Sequence, residues 1–305
     1  ASVIEYDFFE GKDYSSIKLR NGGSSHEESK IVDAFLQYLS AERNVSIQAS
    51  KPCVVFLNGE YWGIDNVRER YKEDYFLNHY GISGGNIWML DAGAASIGSY
   101  DAWNDFKAVT TFITENDMAV TENYAKASEL LDIQSLIDYY CINLYIDNKD
   151  MAFDKNMGIW RSVQAGENEF EDCKWRFMLY DTDGSLYAPE NNTFVDSEWW
   201  KEDFDLMDEP IIKSLMQNEE FKQQFYNTFL EIAETTFAYD RVHKELMAWK
   251  EIYEVQAVKS HQRFLSADIT VEDYEGYIEK IDDFFKRRPD YIIGYLQEEL
   301  EIAVE

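Results

Sequence analysis

Four residues in the middle of the chain are of the types that ligate hard cations and move protons: Asp150, Asn156, Asp181 and Asp183. The pattern around them predicts a hairpin, with one strand over Asn156–Arg161, a polar loop over Gln164–Asn168 and a return strand over Cys173–Tyr180. In an antiparallel hairpin the first residue of one strand faces the last of its partner at about 4.5–5.5 Å between Cα atoms. That reading sets Asn156 opposite Asp181. Oxygen-bearing side chains so placed can share a Mg²⁺ ion, which takes oxygen ligands at about 2.0–2.1 Å and commonly completes its shell with substrate phosphates. Asp150 lies a few residues upstream and falls on the same rim. Two other readings stand beside this one. Asp and Asn collect at the open end of any hairpin as ordinary loop residues, and Asp181 with Asp183 could form the carboxylate pair of a glycosidase or of a metal-assisted hydrolase.

The elements that must hold these residues follow from hydrophobic spacing. Ile31, Val32, Phe35, Leu36 and Leu39 recur at helical intervals and predict a helix over Ser29–Leu39. Cys53–Leu57 and Tyr61–Ile64 are strand-forming runs, and Asn58-Gly59 between them suits a type I′ turn. Asp132 caps a helix with the stripe Ile133, Leu136, Ile137, Tyr140, Cys141, Leu144 and Tyr145, which delivers the chain to Asp147-Asn148-Lys149-Asp150. Beyond the second hairpin the pattern is helical. Phe221, Phe225, Phe229 and Ile232 form one stripe, Tyr277, Ile278, Ile281, Phe284 and Phe285 another, and Pro289 restarts a last helix. Early hairpins and a helical carboxyl-terminal part predict an α+β fold with two coupled lobes. No repeat or low-complexity linker divides the 305 residues, so they read as one domain.

Composition narrows the function classes. A hydrophobic content of 45%, rich in Trp, Tyr and Phe, is enough for a core and excludes a disordered acidic tail. The formal net charge of -31 repels a phosphate backbone and excludes nucleic acid as a partner. No apolar run approaches the roughly 20 residues of a membrane-spanning helix, so no transmembrane segment is expected. The chain opens on Ala1 rather than Met, without a secretory signal, as a processed or excised protein would. Cys53, Cys141 and Cys173 have no metal-pair spacing and read as buried free thiols, and the four His residues show no zinc-ligand spacing.

An Asp, an Asn after a short gap, a hairpin, and an Asp closing its second strand is also the order found in protein kinases. More specifically, Val54–Ile64 with Asn66-Val67-Arg68-Glu69-Arg70 resembles the NGEYWG segment and following R-E of the spore-coat CotH kinases, an atypical protein-kinase-like family. Leu19–Gly23 resembles that family's LRN segment, Tyr145–Asp150 its N-x-D loop, Trp175–Asp183 its W-R-F-x-x-Y-D-x-D strand, and Arg287-Arg288-Pro289 its last helix start. The resemblance runs from about residue 6 to about residue 297. It implies a kinase-like two-lobed fold, ATP with Mg²⁺ or Mn²⁺, and phosphoryl transfer to Ser or Thr of protein substrates at a spore coat, cell surface or other extracellular location. By position, Asp150 is the expected catalytic residue, Asn156 and Asp181 the metal ligands, and Arg68 with Glu69 a phosphate-clamping or ion-paired couple at the nucleotide.

The sequence departs from the family pattern in three places. The family's upstream Gly-rich region and Lys precede the first residue here, which reads as amino-terminal truncation. Five residues rather than four separate Asp150 from Asn156, and Asp65 stands where Tyr is common. A catalytically inactive, surface-binding relative is therefore the alternative, with aromatics such as Trp199-Trp200 as glycan or protein contacts, although aromatics of this kind more often belong to a core. If the chain is active, the stretch from Asp183 to Glu209, with nine acids against the single base Lys201, is expected to select basic protein substrates.

Overall fold

The computed structural model describes residues 8–151, 155–195 and 209–301. The fold is α+β, with two small antiparallel sheets and a helical carboxyl-terminal part. The first sheet comprises β1 (Lys18–Arg20), β2 (Ser50–Leu57) and β3 (Glu60–Arg68) in the order β1-β3-β2. The second comprises β4 (Ile87–Asp91), β5 (Ala94–Ile97), β6 (Gly158–Ser162) and β7 (Arg176–Met178) in the order β5-β4-β6-β7. Helix α1 (Val32–Leu39) lies between β1 and β2, and α2 (Glu73–Tyr80) follows β3. Then α3 (Tyr100–Glu115), α4 (Thr121–Leu130) and α5 (Ile133–Tyr145) separate β5 from β6. The chain ends with α6 (Pro210–Leu215), α7 (Glu219–Glu231), α8 (Tyr239–Phe264), α9 (Val271–Arg287) and α10 (Pro289–Glu299).

The predicted first hairpin forms around Asn58 and Gly59, whose φ values of 53° and 84° are those a type I′ turn requires. Helix α8 covers β3, where the Tyr253 hydroxyl donates to the Asn66 amide oxygen and the Tyr61 hydroxyl to the Gln256 carbonyl. Helix α1 begins at Val32 rather than Ser29, because Lys30 takes a φ of 65° and its N–H closes a turn onto the Ser25 carbonyl. The β4–β5 hairpin has no counterpart in the sequence-based expectations. Its edge strand reads Ala-Ala-Ser-Ile, a run of weak strand propensity that the neighbouring β4 recruits.

Ser46 stitches the two sheets together. Its N–H donates to the Phe177 carbonyl, its carbonyl accepts from the Leu179 N–H and the Tyr71 hydroxyl, and its hydroxyl accepts from the Trp160 indole. The end of β7 therefore emerges at a fixed place beside the first sheet. Helix α5 is enclosed on all sides, and all its residues except Gln134 are buried. The Asp132 side chain caps it by accepting from the Ser135 N–H at 3.0 Å, and Tyr145 in its last turn stacks on Phe237 with ring centroids 5.0 Å apart. Buried at both ends, α5 is a rigid arm for the loop it carries. The predicted stripes of α7 and α9 face this core, and Thr270 with Asp273 closes a capping box at the start of α9. Of the three free cysteines only Cys141 is fully buried, while Cys53 and Cys173 are half-buried. Among the described residues no helix is long and apolar enough to cross a membrane.

Candidate functional site

Helix α5 ends in the loop Asp147–Asp150, which runs alongside the loop Asp181–Gly184 that follows β7. The Lys149 N–H donates to the Gly184 carbonyl and the Leu186 N–H to the Ile146 carbonyl, each at 2.9 Å. A Cβ on Gly184 would come within 2.7 Å of the Asp150 Cβ, so glycine is what allows the loops to close up. Asn148 shapes the first loop by accepting from the Asp150 N–H at 2.9 Å and donating to the Asn143 amide oxygen at 2.7 Å. Asn156 reaches back to the same residue, donating to both the carbonyl and the Oδ2 of Asp150 at 2.9 Å, and Lys155 pairs with the other carboxylate oxygen.

Asp181 and Asp183 share one counter-ion. The guanidinium of Arg20, on β1, pairs with Asp181 and bonds Asp183 Oδ2 at 2.7 Å, and the Ser24 N–H donates to the same Asp183 oxygen at 2.7 Å. Gly23 makes this approach possible: it has a φ of 57°, and a Cβ there would overlap the Asp183 carboxylate. Burial holds the Asp183 carboxyl above its ordinary pKa, neighbouring Asp181 adds to the rise, and Arg20 opposes it. Burial likewise raises the Tyr187 hydroxyl, with further push from Asp150, Asp147 and Asp183. The site thus carries more negative charge than its own cations neutralise.

A buried polar network lies directly beneath. Asp33, near the start of α1, accepts from the N–H and the hydroxyl of Thr182, both at 2.9 Å, from Gln37 at 2.8 Å, and from Arg68. Arg68 is 1% exposed, and burial lowers its pKa to about 10, which leaves it charged at neutral pH. Glu69 is equally enclosed, accepting from the Tyr14 hydroxyl, the Ala49 N–H at 2.8 Å and, at the same distance, His79.

Between the two sheets opens a cleft of about 250 Å³, lined by Lys18, Gln48, Arg70 and Lys72 from one side and by Met89, Asp91 and Tyr180 from the other. It widens, through Lys72 and Ser96, into a second hollow of about 640 Å³. Burial lowers the pKa of Lys18, as do nearby Arg20, Arg68 and Arg70, while Asp181 works against them. A crowd of cations therefore lines the cleft beside Tyr180, with Asp181 close enough to Lys18 to act on it.

The family profile described as CotH kinase protein matches residues 4–292, which includes every residue of these loops, the network and the cleft. The chain belongs to the CotH kinase family. No curated protein matches it.

Several expectations change once this CotH chain is seen folded. The β6–β7 register pairs Gly158 with Met178, Ile159 with Phe177 and Trp160 with Arg176, which in continuation sets Asn156 opposite Tyr180 rather than Asp181. Asn156 and Asp181 lie beyond the strands with left-handed φ values of 55° and 50°, and their side chains bond to Asp150 and Arg20 respectively. The structure thus joins Asn156 to Asp150 and Asp181 to Asp183. In the interior Arg68 pairs with Asp33 and Glu69 accepts hydrogen bonds from Tyr14, Ala49 and His79, and neither lines the cleft, where Arg70 stands instead. Asp181 and Asp183 touch the same guanidinium nitrogen, so they sit side by side on one wall rather than facing each other across a sugar. Asp65 lies away from the cleft lining; burial raises its carboxyl and Lys30 opposes the rise. Trp199, Trp200 and positions 196–208 of the acidic stretch fall outside the described residues.

Sequence reasoning overlooks Lys18, Arg20, Asp33, Arg70 and Lys72. A signal for the cations exists: in a chain with 28 bases and 59 acids, Lys18 and Arg20, then Arg68, Arg70 and Lys72, recur at every second position. That is the period of a strand and its extended continuation presenting one face.

Proposed function

We propose that the chain is an ATP- and divalent-metal-dependent protein kinase that phosphorylates Ser or Thr of basic protein substrates at a spore coat or cell surface. The observation that carries this reading is the charge arrangement of the cleft. In a chain of net charge -31, Lys18, Arg70 and Lys72 gather at a cleft whose lining includes Tyr180, the residue before Asp181, and Asp181 lies near enough to act on Lys18. A polyphosphate relieves the repulsion among the cations, and a divalent ion relieves that between the carboxylates. A metal–nucleotide complex brings both. On this reading the chain is a single kinase-like domain in which the two sheets belong to two lobes, with the nucleotide between them.

The donor set suits Mg²⁺ or Mn²⁺. Among the described residues no three His, Cys, Asp or Glu side chains form a metal cluster, but Mg²⁺ is usually held by one or two carboxylates with phosphates and water. Asp181 and Asp183 supply the carboxylates, and the amide oxygen of Asn156 is the further ligand. When bound, the metal neutralises charge on the phosphate oxygens. Asp150 accepts the proton of the substrate hydroxyl as its oxygen bonds to the γ-phosphorus. The bond from that phosphorus to the bridging oxygen breaks, and the electron pair leaves on ADP. The pairing of Asp150 with Lys155, whose side chain is half exposed, is weak enough to yield.

Thermal melting tests the reading. A nucleotide present at 100 times its Kd adds about 2.7 kcal/mol, so Mg²⁺-ATP or Mn²⁺-ATP should raise Tm by a few degrees. Asp181→Asn should abolish that rise in a folded protein, and Asp150→Asn should end phosphate transfer while keeping the rise. A wild type unmoved by millimolar nucleotide and metal would instead favour the non-catalytic, surface-binding reading. That reading has one observation in its favour: Phe56, Trp62 and Phe264 are 63%, 41% and 51% exposed at the tip of the first hairpin and the end of α8.

A further inference from the structure

The carboxylate of Asp33 is 3% exposed and about 150 residues from Thr182 in sequence, yet it takes both hydrogen bonds Thr182 can offer. Thr182 is the residue between Asp181 and Asp183, so whatever fixes its backbone fixes the spacing of both carboxylates. Asp33 also faces their counter-ion: Arg20 Nε lies 3.8 Å from Asp33 Oδ2, while the far end of the same guanidinium bridges Asp181 and Asp183. The carboxylate is held in turn. Arg68 pairs with Oδ2, and Gln37, one helical turn along α1, donates to Oδ1 while its own amide oxygen accepts from the Gln48 N–H at 2.8 Å. One buried anion therefore grips the acidic loop, the guanidinium that serves it, and the first sheet.

Stability is a poor explanation for this arrangement. Taking Asp33, Arg68 and most of Arg20 out of water carries a desolvation penalty that the attraction among them seldom more than offsets, and well-packed apolar residues often serve a core better. What a fully satisfied buried carboxylate does provide is a fixed direction for each donor. We infer that Asp33 is a positioning residue for metal binding, setting Asp181 and Asp183 at their working separation through Thr182 and Arg20. The inference rests on the proposed function, since it takes these two carboxylates as metal ligands.

The test reads Mn²⁺ affinity by electron paramagnetic resonance, with the full chain and a non-hydrolysable ATP analogue. Partners one step behind a metal ligand typically change its affinity 10- to 100-fold when removed, and Asp33→Asn, which turns one acceptor oxygen into a donor, should weaken Mn²⁺ binding within about that range. Thr182→Val, which keeps the N–H and loses the hydroxyl, should weaken it less. Thr182→Ser, which restores the hydroxyl, should recover most of what Thr182→Val loses. This pair decides the matter if Asp33→Asn does not fold. Residues that only stabilise the core would lower Tm and leave Mn²⁺ affinity of the folded protein unchanged. Wild-type Mn²⁺ binding matched by folded Asp33→Asn, or by Thr182→Val as much as Thr182→Ser, overturns the inference alone. No Mn²⁺–nucleotide binding by the wild type overturns the proposed function together with it.

Discussion

His261 illustrates how one buried side chain can make folding stability fall in acid. It lies on α8 at 1% exposure, with Nε2 against the His26 carbonyl and Nδ1 without a hydrogen-bond partner. Burial, then the nearby Lys30 ammonium, lowers its pKa from 6.5 to about 4, with the His26 carbonyl and Glu27 pulling the other way. As pH falls through 6.5 the unfolded chain gains a proton there that the folded chain refuses. The stability His261 contributes is thus full above pH 6.5 and declines as pH falls towards 4, by up to about 3 kcal/mol. In His261→Gln the plot of Tm against pH should be flatter over that window, and parallel plots for the two proteins would refute this account. Asp183 acts with the opposite sign, since a raised carboxyl pKa favours the folded state as pH falls. At this scale the legible residues are those whose type already suggests chemistry, Asp150, Asn156, Asp181 and Asp183. Arg20 and Asp33 are not legible, because their partners lie 161 and 149 positions away and nothing local marks them.

Among the elements, α5 and the second hairpin show opposite degrees of legibility. The Asp132 cap can be read from the sequence because the hydrogen bond spans only three residues. Asp132 also accepts from Asn44 at 3.0 Å and pairs with Arg176 at 3.1 Å. Asp132→Ala should therefore cost roughly 1–2 kcal/mol, the upper part of the usual capping range, and lower Tm by a few degrees, as calorimetry would measure. If the chain binds nucleotide as proposed, the affinity of the folded variant should stay unchanged, because the acidic loop leaves the far end of α5. The β6–β7 register could not be read in the same way. It depends on β4, which flanks β6 on its other side, and on the folded connection between the strands, where the Gly166 N–H bonds the Glu171 carbonyl. Left-handed conformations at Asn156 and Asp181 then take these two candidate side chains out of the ladder altogether. Strand alternation can place a residue within a sheet, but not one that has just left it.

For the whole molecule the net charge of -31 outweighs any single ion pair. A field of that size attracts basic peptides and repels acidic ones, and salt screens it beyond roughly 8 Å at physiological ionic strength. If the chain is a kinase, Ser-containing peptides flanked by Lys or Arg should be phosphorylated at lower KM than acidic ones, with an advantage that shrinks as salt rises. Equal use of both at low salt would show that the field does not choose the substrate. Arg288 of the R-P pair acts on the interior. Arg288 is fully buried, and its guanidinium donates to the carbonyls of Leu144, Tyr145, Pro189 and Asn191 and to the Thr193 hydroxyl. It thereby ties the end of α5 to the segment that follows the acidic loop. During synthesis that anchor emerges about 97 residues after Asn191, a lag of roughly 5–20 s at about 5–20 residues per second. Over that interval the carbonyls it will satisfy must take their hydrogen bonds from water, so the acidic site can reach its final shape only after Arg288 has joined the chain.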